Sequence, residues 1–395
     1  MQYDAATYRI DGINKRVRVV LIIGVIALLG SVSGLASNSE QFFYSYLTAY
    51  VFWLSIALGA LFFVMLHHMV GAVWSVVVRR IAEAMMANLF WLGILFIPLL
   101  FGMHDLFHWT HHDAVASDIL LQKKAPYLNQ NFFIIRAVIY FAVWFLLSRI
   151  LFSKSMKEDA STDGTVPGGY LKVSAPGIIL FAFTITFAGF DWLMSLDPHW
   201  YSTIYGVGFF SGSVMATLAS MILITTYLRY KGVLTEIITT EHFHDIGKLM
   251  FAFVILWAYM AFSQYFLIWY ANIPEETIWY HHRWVGSWRV ISWLIVIGHF
   301  GVPFFALITR PAKRNPYYLS VIALWLVFMH WVDLYWNIVP NLHHEGFHIS
   351  WMDLSLTIGM GLIFCGMFWM KLAKHPIVTF KDPKLQASIK FVNPF

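Results

Sequence analysis
Charge is scarce in this chain. Only 12% of its 395 residues are Asp, Glu, Lys or Arg, against about 25% in an ordinary soluble domain. With 59% apolar and 18% aromatic residues and a positive mean hydropathy of +0.66, a water-soluble globule is excluded. Cysteine is scarcer still. Cys365 stands alone, so there is no intramolecular disulfide, no set of thiolates for an iron-sulfur cluster and no Cys pair for covalent c-type haem attachment. Long polar stretches are missing as well, which leaves no room for a large soluble domain.

What fills the chain instead is a series of apolar runs of about 20 residues, each long enough to cross a roughly 30 Å hydrocarbon core as a helix. They predict an all-α integral membrane protein with ten spans, at 17–36, 43–66, 84–103, 131–152, 174–195, 205–228, 249–270, 287–309, 317–339 and 350–371. The first run follows a polar start (Tyr3, Asp4, Arg9, Asp11) and has no small-residue cleavage site before Glu40, so it reads as a retained helix. With ten spans, Lys123, Lys124, Arg136, Arg283 and Arg289 fall on one side and the other 21 of the 26 basic residues on the opposite side. The positive-inside rule then puts both termini in the cytoplasm. The net charge of +5 therefore needs no nucleic-acid partner to explain it.

Gly, Pro, Ser and charges of both signs crowd the segment 153–173. It reads as a cytoplasmic linker between a first helix group (1–152, four spans) and a second (174–372, six spans), with 373–395 as a cytoplasmic tail. A short echo links "HHMVGAVW" (His67 to Trp74) to "HHRWVGSW" (His281 to Trp288). They follow the second and seventh spans, as an inverted repeat would; coincidence over eight residues is the competing explanation.

Ten histidines fall on the outer side: His104, His108, His111, His112, His199, His281, His282, His343, His344 and His348. The first four follow i, i+4, i+7, i+8, one stripe if the third helix continues outward. Such imidazoles with nearby Asp105, Asp113 and Asp118 suit a metal, but no HExxH-like cluster backs one, and a polar surface for docking a partner protein is the plainer reading. Only His299 and His330 lie deep within spans. They are a pair that suffices for one haem, or a pair of buried histidines held in a polar network.

Ionisable groups at bilayer depth cost about 2.5 to 3.5 kcal/mol on insertion scales and call for a role. The candidates for a proton path are His330, Asp333, Asp353, Asp191, Tyr265 and Arg136. His330 and Asp333 sit at i, i+3 on the ninth span and suit proton exchange; the structural alternative is that Asp333 pairs with Arg136 or accepts tryptophan N–H bonds. Most of these groups occupy the outer halves of their helices, as a half-channel or a quinone headgroup pocket would require. In "GFDWLMSLDPHWYSTIYG", residues 189–206, Pro198 stops the fifth helix, and Trp192, Trp200, Tyr201 and Tyr205 are expected in the interfacial aromatic belt.

The stretches "FDWLMSLDPHWYSTIYGVGFFSGS" (Phe190 to Ser213), "HHMVGAVWSVVVRR" (His67 to Arg80), "HDLFHWTHHD" (His104 to Asp113) and "WYANIPEETIWYHHR" (Trp269 to Arg283) carry a resemblance that extends over nearly the whole chain. They resemble the ActF-type membrane subunits of bacterial alternative complex III, a quinol:cytochrome c oxidoreductase, within the wider NrfD/PsrC-like family. The resemblance implies two four-helix bundles plus flanking helices in the bacterial inner membrane, with no haem or metal held by the chain itself. Implied partners are a paralogous membrane subunit, an iron-sulfur subunit, multihaem c-type cytochromes, membrane lipids and, in some assemblies, a terminal oxidase. Haem and iron-sulfur clusters would sit in those partners, and menaquinone or ubiquinone is the cofactor class that would meet the membrane subunits. No catalytic residue transfers by motif. The expected function is to anchor the outer redox subunits and to offer a proton path or a quinone-associated site. The alternatives are a secondary transporter coupled through His330 and Asp333, and a purely structural scaffold.

Overall fold
A computed structural model describes residues 13–161 and 168–393. The polar N-terminal stretch and the middle of the 153–173 linker lie outside the described residues. Ten helices are long and apolar enough to cross a membrane. They are α1 (Lys15–Ser37), α2 (Ser39–Val70), α3 (Val76–Phe101), α4 (Gln130–Ala160), α5 (Tyr170–Leu196), α6 (Tyr205–Tyr230), α7 (Thr240–Ala271), α8 (Trp288–Leu307), α9 (Pro316–Asn341) and α10 (Trp351–Ala373). No strand occurs among the described residues.

Helices α2–α5 form one bundle and α6–α9 a second, with α10 lying against α2 and α3, and α1 against α10. The two bundles meet where α2 crosses α6. Gly59 makes that approach possible, because a Cβ there would lie 2.2 Å from Thr217 Oγ1 and 2.5 Å from the Ser213 carbonyl oxygen. Thr217 Oγ1 donates to the Ile56 carbonyl at 2.8 Å across the same crossing. Small residues let backbones approach where lipid supplies no hydrophobic force between helices. Burial is greatest along α2, whereas α1 and α7 present most of their apolar surface outward.

"Inner" here denotes the end where α1 begins and α10 ends, which also carries most of the Lys and Arg. There the helices outrun the apolar stretches. Helix α3 starts at Val76 rather than 84, α4 runs on to Ala160, and α7 starts at Thr240 rather than 249. Each extension is charged, so hydropathy ends before the helix does. The linker accordingly shrinks at both ends, into α4 and α5. The tail is not loose: Ile377, Val378 and Leu385 are buried and the segment lies across the inner ends of both bundles.

Two local expectations change. The third span does not continue outward as one helix. Phe107 (φ −117, ψ 109) and His111 (φ −84, ψ 113) are extended and break it into short turns. The four histidines therefore do not form a helical stripe, although folding of the loop still stacks His104 on His111 at 3.8 Å and leaves His108 5.7 Å from His111. Nor are Trp192, Trp200 and Tyr205 belt residues: all three are buried, and Trp200 stacks on Trp279 at 4.5 Å. Tyr201 alone of the four is exposed.

Candidate functional site: a membrane-facing cavity over Asp333
A cavity of about 940 Å³ opens in the outer half of the second bundle, between α7 and α8, with α6 and α9 behind it. Its mouth is aromatic and faces outward: Tyr259, Phe262 and Trp269 on α7, and Trp293 on α8, are exposed. Its floor is polar. Asp333 accepts from Trp257 Nε1 at 3.2 Å and from Asn337 Nδ2 at 3.3 Å. Tyr205 donates to Asn337 Oδ1 at 3.2 Å, and Gln264 Nε2 donates to the Tyr280 hydroxyl at 3.2 Å nearer the mouth. No cation pairs with Asp333 among the described residues. The carboxylate is therefore held only by neutral donors.

His330 also borders this cavity, one helical turn inward. Its Nε2 lies 2.9 Å from Ser55 Oγ on α2, while Nδ1 has no protein partner. No hydrogen bond joins it to Asp333, so the i, i+3 pair shares a space rather than a contact. Behind the wall is His299, fully buried, with neither ring nitrogen partnered. It lies on a widened π-type turn, Ile295–Gly301. Pro303 explains the widening, since its ring would clash with the His299 carbonyl in a regular helix. The His299 and His330 rings are 6.5 Å apart, with Trp257 4.0 Å from His299. Trp257, Ile295 and Met329 pack around the two rings, and only His330 has a polar partner, Ser55.

The remaining candidates divide. Tyr265 lines the cavity mouth, edge-on to Tyr280 at 5.3 Å. Asp191 and Arg136 do not reach the cavity; they close on each other, Nε to Oδ2 at 2.7 Å and Nη2 to Oδ1 at 3.0 Å, with Tyr140 donating to Oδ2 at 2.7 Å. Arg136 is therefore the partner of Asp191 and not of Asp333. Asp353 caps α10, accepting from the Ser350 amide at 2.7 Å, and also accepts from Ser45 Oγ at 2.5 Å and Tyr335 at 3.2 Å. From Ser45 a chain of polar contacts leads outward through Gln41 Nε2 (2.9 Å) to His343 Nε2, 2.6 Å from Gln41 Oε1. That chain connects Asp353 to the outer loops without touching the cavity.

Arg283 was expected on the outer face but is buried beside the cavity, donating to the carbonyls of Trp336, Trp279 and Asn337 at 3.1, 2.9 and 2.8 Å. Its guanidinium lies 3.4 Å from the Trp279 ring, and burial pushes its pKa down to about 9. The outer histidines fall into pairs: His282 lies 5.1 Å from His344 and His343 4.9 Å from His348, while His199 Nε2 is 2.5 Å from Asp118 Oδ2. His281 borders the cavity mouth, and His112 opens a short helix in the 103–124 loop. No group of three or more His, Cys, Asp or Glu able to hold a metal occurs among the described residues.

A second ionisable cluster, at the inner end, was legible only as loop charge. Arg79 pairs with Glu83 (3.1 Å), Glu158 (3.3 Å) and tail residue Asp382 (2.7 Å); Arg80 pairs with Glu83 (3.1 Å) and Asp159. Arg79 Nη1 also donates to His67 Nε2 at 3.2 Å, which fixes that ring as the Nδ1–H tautomer donating to Ser75 at 2.7 Å. His68 stacks on Tyr170 at 4.1 Å, and Tyr170 donates to Glu158 at 2.8 Å. Ser55, which meets His330, lies twelve residues along α2 from His67, roughly 18 Å. Leu58, Leu61 and Val64 are fully buried between them.

The fold and site define a ten-span helical membrane protein with polar clusters at two depths. No protein-family model and no curated protein matches the chain.

Proposed function
We propose that the protein is an ActF-type membrane subunit of a quinol:cytochrome c oxidoreductase in a bacterial inner membrane. It anchors outer-face subunits that hold iron-sulfur clusters and c-type haems, and it carries a proton-active site in its second bundle. The observation that carries the proton role is Asp333, buried at the floor of a membrane-facing cavity without a cationic partner. The four motif-bearing stretches named above support the assignment to the complex.

The cavity's donors suit a quinone headgroup: Tyr205, Gln264 and Tyr280 are neutral and lie below an aromatic mouth of the kind a lipid-soluble molecule would cross. A quinol bound there would supply two protons and two electrons on oxidation. The chain's own part is to orient such a headgroup with these side chains and to hold a proton on Asp333. His330, set between Asp333 and Ser55, is the next group inward, and roughly 18 Å along α2 separates Ser55 from His67 of the inner cluster. The paired outer histidines give the adjoining surface the polarity that docked redox subunits would meet.

The test is purification of the tagged chain from its native membrane. Multihaem c-type and iron-sulfur subunits are expected to copurify, and a stable lone protein would sink the assignment. In the assembled complex, Asp333→Asn is expected to lower proton release per quinol while subunit composition stays intact. Unchanged quinol oxidation and proton release in both Asp333→Asn and His330→Ala would instead mark the chain as a scaffold.

A further inference from the structure
A second cavity, of about 520 Å³, lies in the inner half of the first bundle. Helix α3 forms its floor, with Asn88 and Trp91, and α4 and α10 form its walls. Three cations converge on it from parts of the chain distant in sequence: Arg149 from α4, Lys371 from α10 and Lys374 just past the end of α10. No carboxylate lines it. Arg79, Arg80, Lys248 and Arg314 at the same end each pair with Asp or Glu, and Lys154, Lys313 and Lys384 donate to backbone carbonyls, whereas the three cations here share one open space. Arg149 and Lys371 have no such partner among the described residues; their charged groups lie over Phe145 (5.8 Å) and Phe152 (4.2 Å).

Unpaired cations in a groove open to lipid attract phosphate, and basic pockets between spans on the cytoplasmic side favour anionic headgroups. The cations sit at the inner rim, while Phe90 and Trp91, both exposed, continue the groove toward the membrane middle. That order, charge at the rim and aromatic surface below it, matches a headgroup followed by acyl chains. A free phosphate would use the cations but leave the aromatic floor without a role.

We propose that this groove is a binding site for an anionic phospholipid, its phosphate held by Arg149, Lys371 and Lys374 and its acyl chains laid along Phe90 and Trp91. Three cations facing no carboxylate favour a two-phosphate headgroup over a one-phosphate one.

Native mass spectrometry of the full chain, titrated separately with diphosphatidylglycerol, phosphatidylglycerol, phosphatidylcholine and inorganic phosphate, tests this. Binding is expected to fall in that order. Each cation near an anionic lipid contributes roughly a five-fold change, so the triple variant Arg149→Gln, Lys371→Gln, Lys374→Gln is expected to lose on the order of 100-fold in diphosphatidylglycerol affinity with phosphatidylcholine unaffected. Arg149 and Lys374 are exposed, so the single variants Arg149→Gln and Lys374→Gln keep the test valid if the triple variant fails to fold; each is expected to lose about five-fold. Equal binding of phosphatidylcholine and the anionic lipids, undiminished binding by the variants, or inorganic phosphate binding as tightly as lipid would each overturn the proposal.

Discussion

Arg136→Gln is the perturbation whose cost the structure defines best. Arg136 and Asp191 are both buried, and the guanidinium meets the carboxylate through two hydrogen bonds, at 2.7 and 3.0 Å. Removing one member of such a pair leaves an uncompensated buried charge, about 3–5 kcal/mol, which is roughly two to four powers of ten in the folded-to-unfolded ratio. Asp191 would keep Tyr140 at 2.7 Å, one charge-assisted bond of about 1.5–3 kcal/mol, so the lower part of the range is expected. Asp191→Asn strands the guanidinium, which retains the Tyr127 carbonyl at 2.8 Å and the Tyr127 ring at 3.9 Å, and should cost a similar amount. In the double variant neither charge remains and two amides face each other. The double cost should therefore fall short of the sum of the singles by about 2–3 kcal/mol, the upper part of the range for coupled neighbours. Denaturant unfolding of the detergent-solubilised protein, followed by tryptophan fluorescence, measures all three. Additivity within about 0.5 kcal/mol would show that the two groups do not act as a pair and would refute the reasoning.

Three further outcomes follow from other contacts. Gly59→Val should displace α2 from α6 and cost more than the ~1–3 kcal/mol of ordinary overpacking, and Thr217→Ala should not rescue it because the Ser213 backbone carbonyl also obstructs; recovery of thermal stability in the double variant would contradict this. Arg79→Gln should cost about 3–5 kcal/mol or more, whereas Asp382→Asn should cost under about 2 kcal/mol, since four carboxylates face two arginines here and losing one relieves repulsion; the comparison of melting midpoints decides. Burial, then His344 for His282 and His348 for His343, holds these rings' folded pKa below the ordinary 6.5. The neutral rings thus favour the folded outer loops fully above pH 6.5, and that contribution is lost as pH falls below it. Protection of amides in residues 342–350, measured as exchange relative to its intrinsic rate at each pH, should fall between pH 7 and 5, and His343→Gln should weaken that dependence.

The ten spans were legible because a 20-residue apolar run has few other uses, and charge asymmetry added a consistent inner end. Part of what could not be read has partners far apart in sequence. Asp191 and Arg136 are separated by 55 positions, and nothing local to either residue names the other. Arg79, Arg80 and Glu83 ended the apparent third span because hydropathy scores them as loop, whereas mutual pairing lets helix continue through them. The cavity over Asp333 was anticipated only as a tendency of polar groups to occupy outer halves; its walls come from four helices. His299 shows a different limit: its depth in a span was legible, but the wide turn caused by Pro303 and the two unpartnered nitrogens were not.

The tail gives the inner end a dependence on the order of synthesis. Asp382 meets Arg79, Lys384 Nζ donates to the Gly71 carbonyl at 2.7 Å, and Ser388 reaches both bundles, accepting from His242 at 3.0 Å and donating to the Trp74 carbonyl at 3.0 Å. These contacts are made by residues translated after all ten spans. Until they emerge from the ribosome, the inner rims of α3 and α7 lack the groups that bind them together. A chain halted after α10 would carry every membrane helix and still leave Arg79 and His242 without the tail groups they meet in the finished protein.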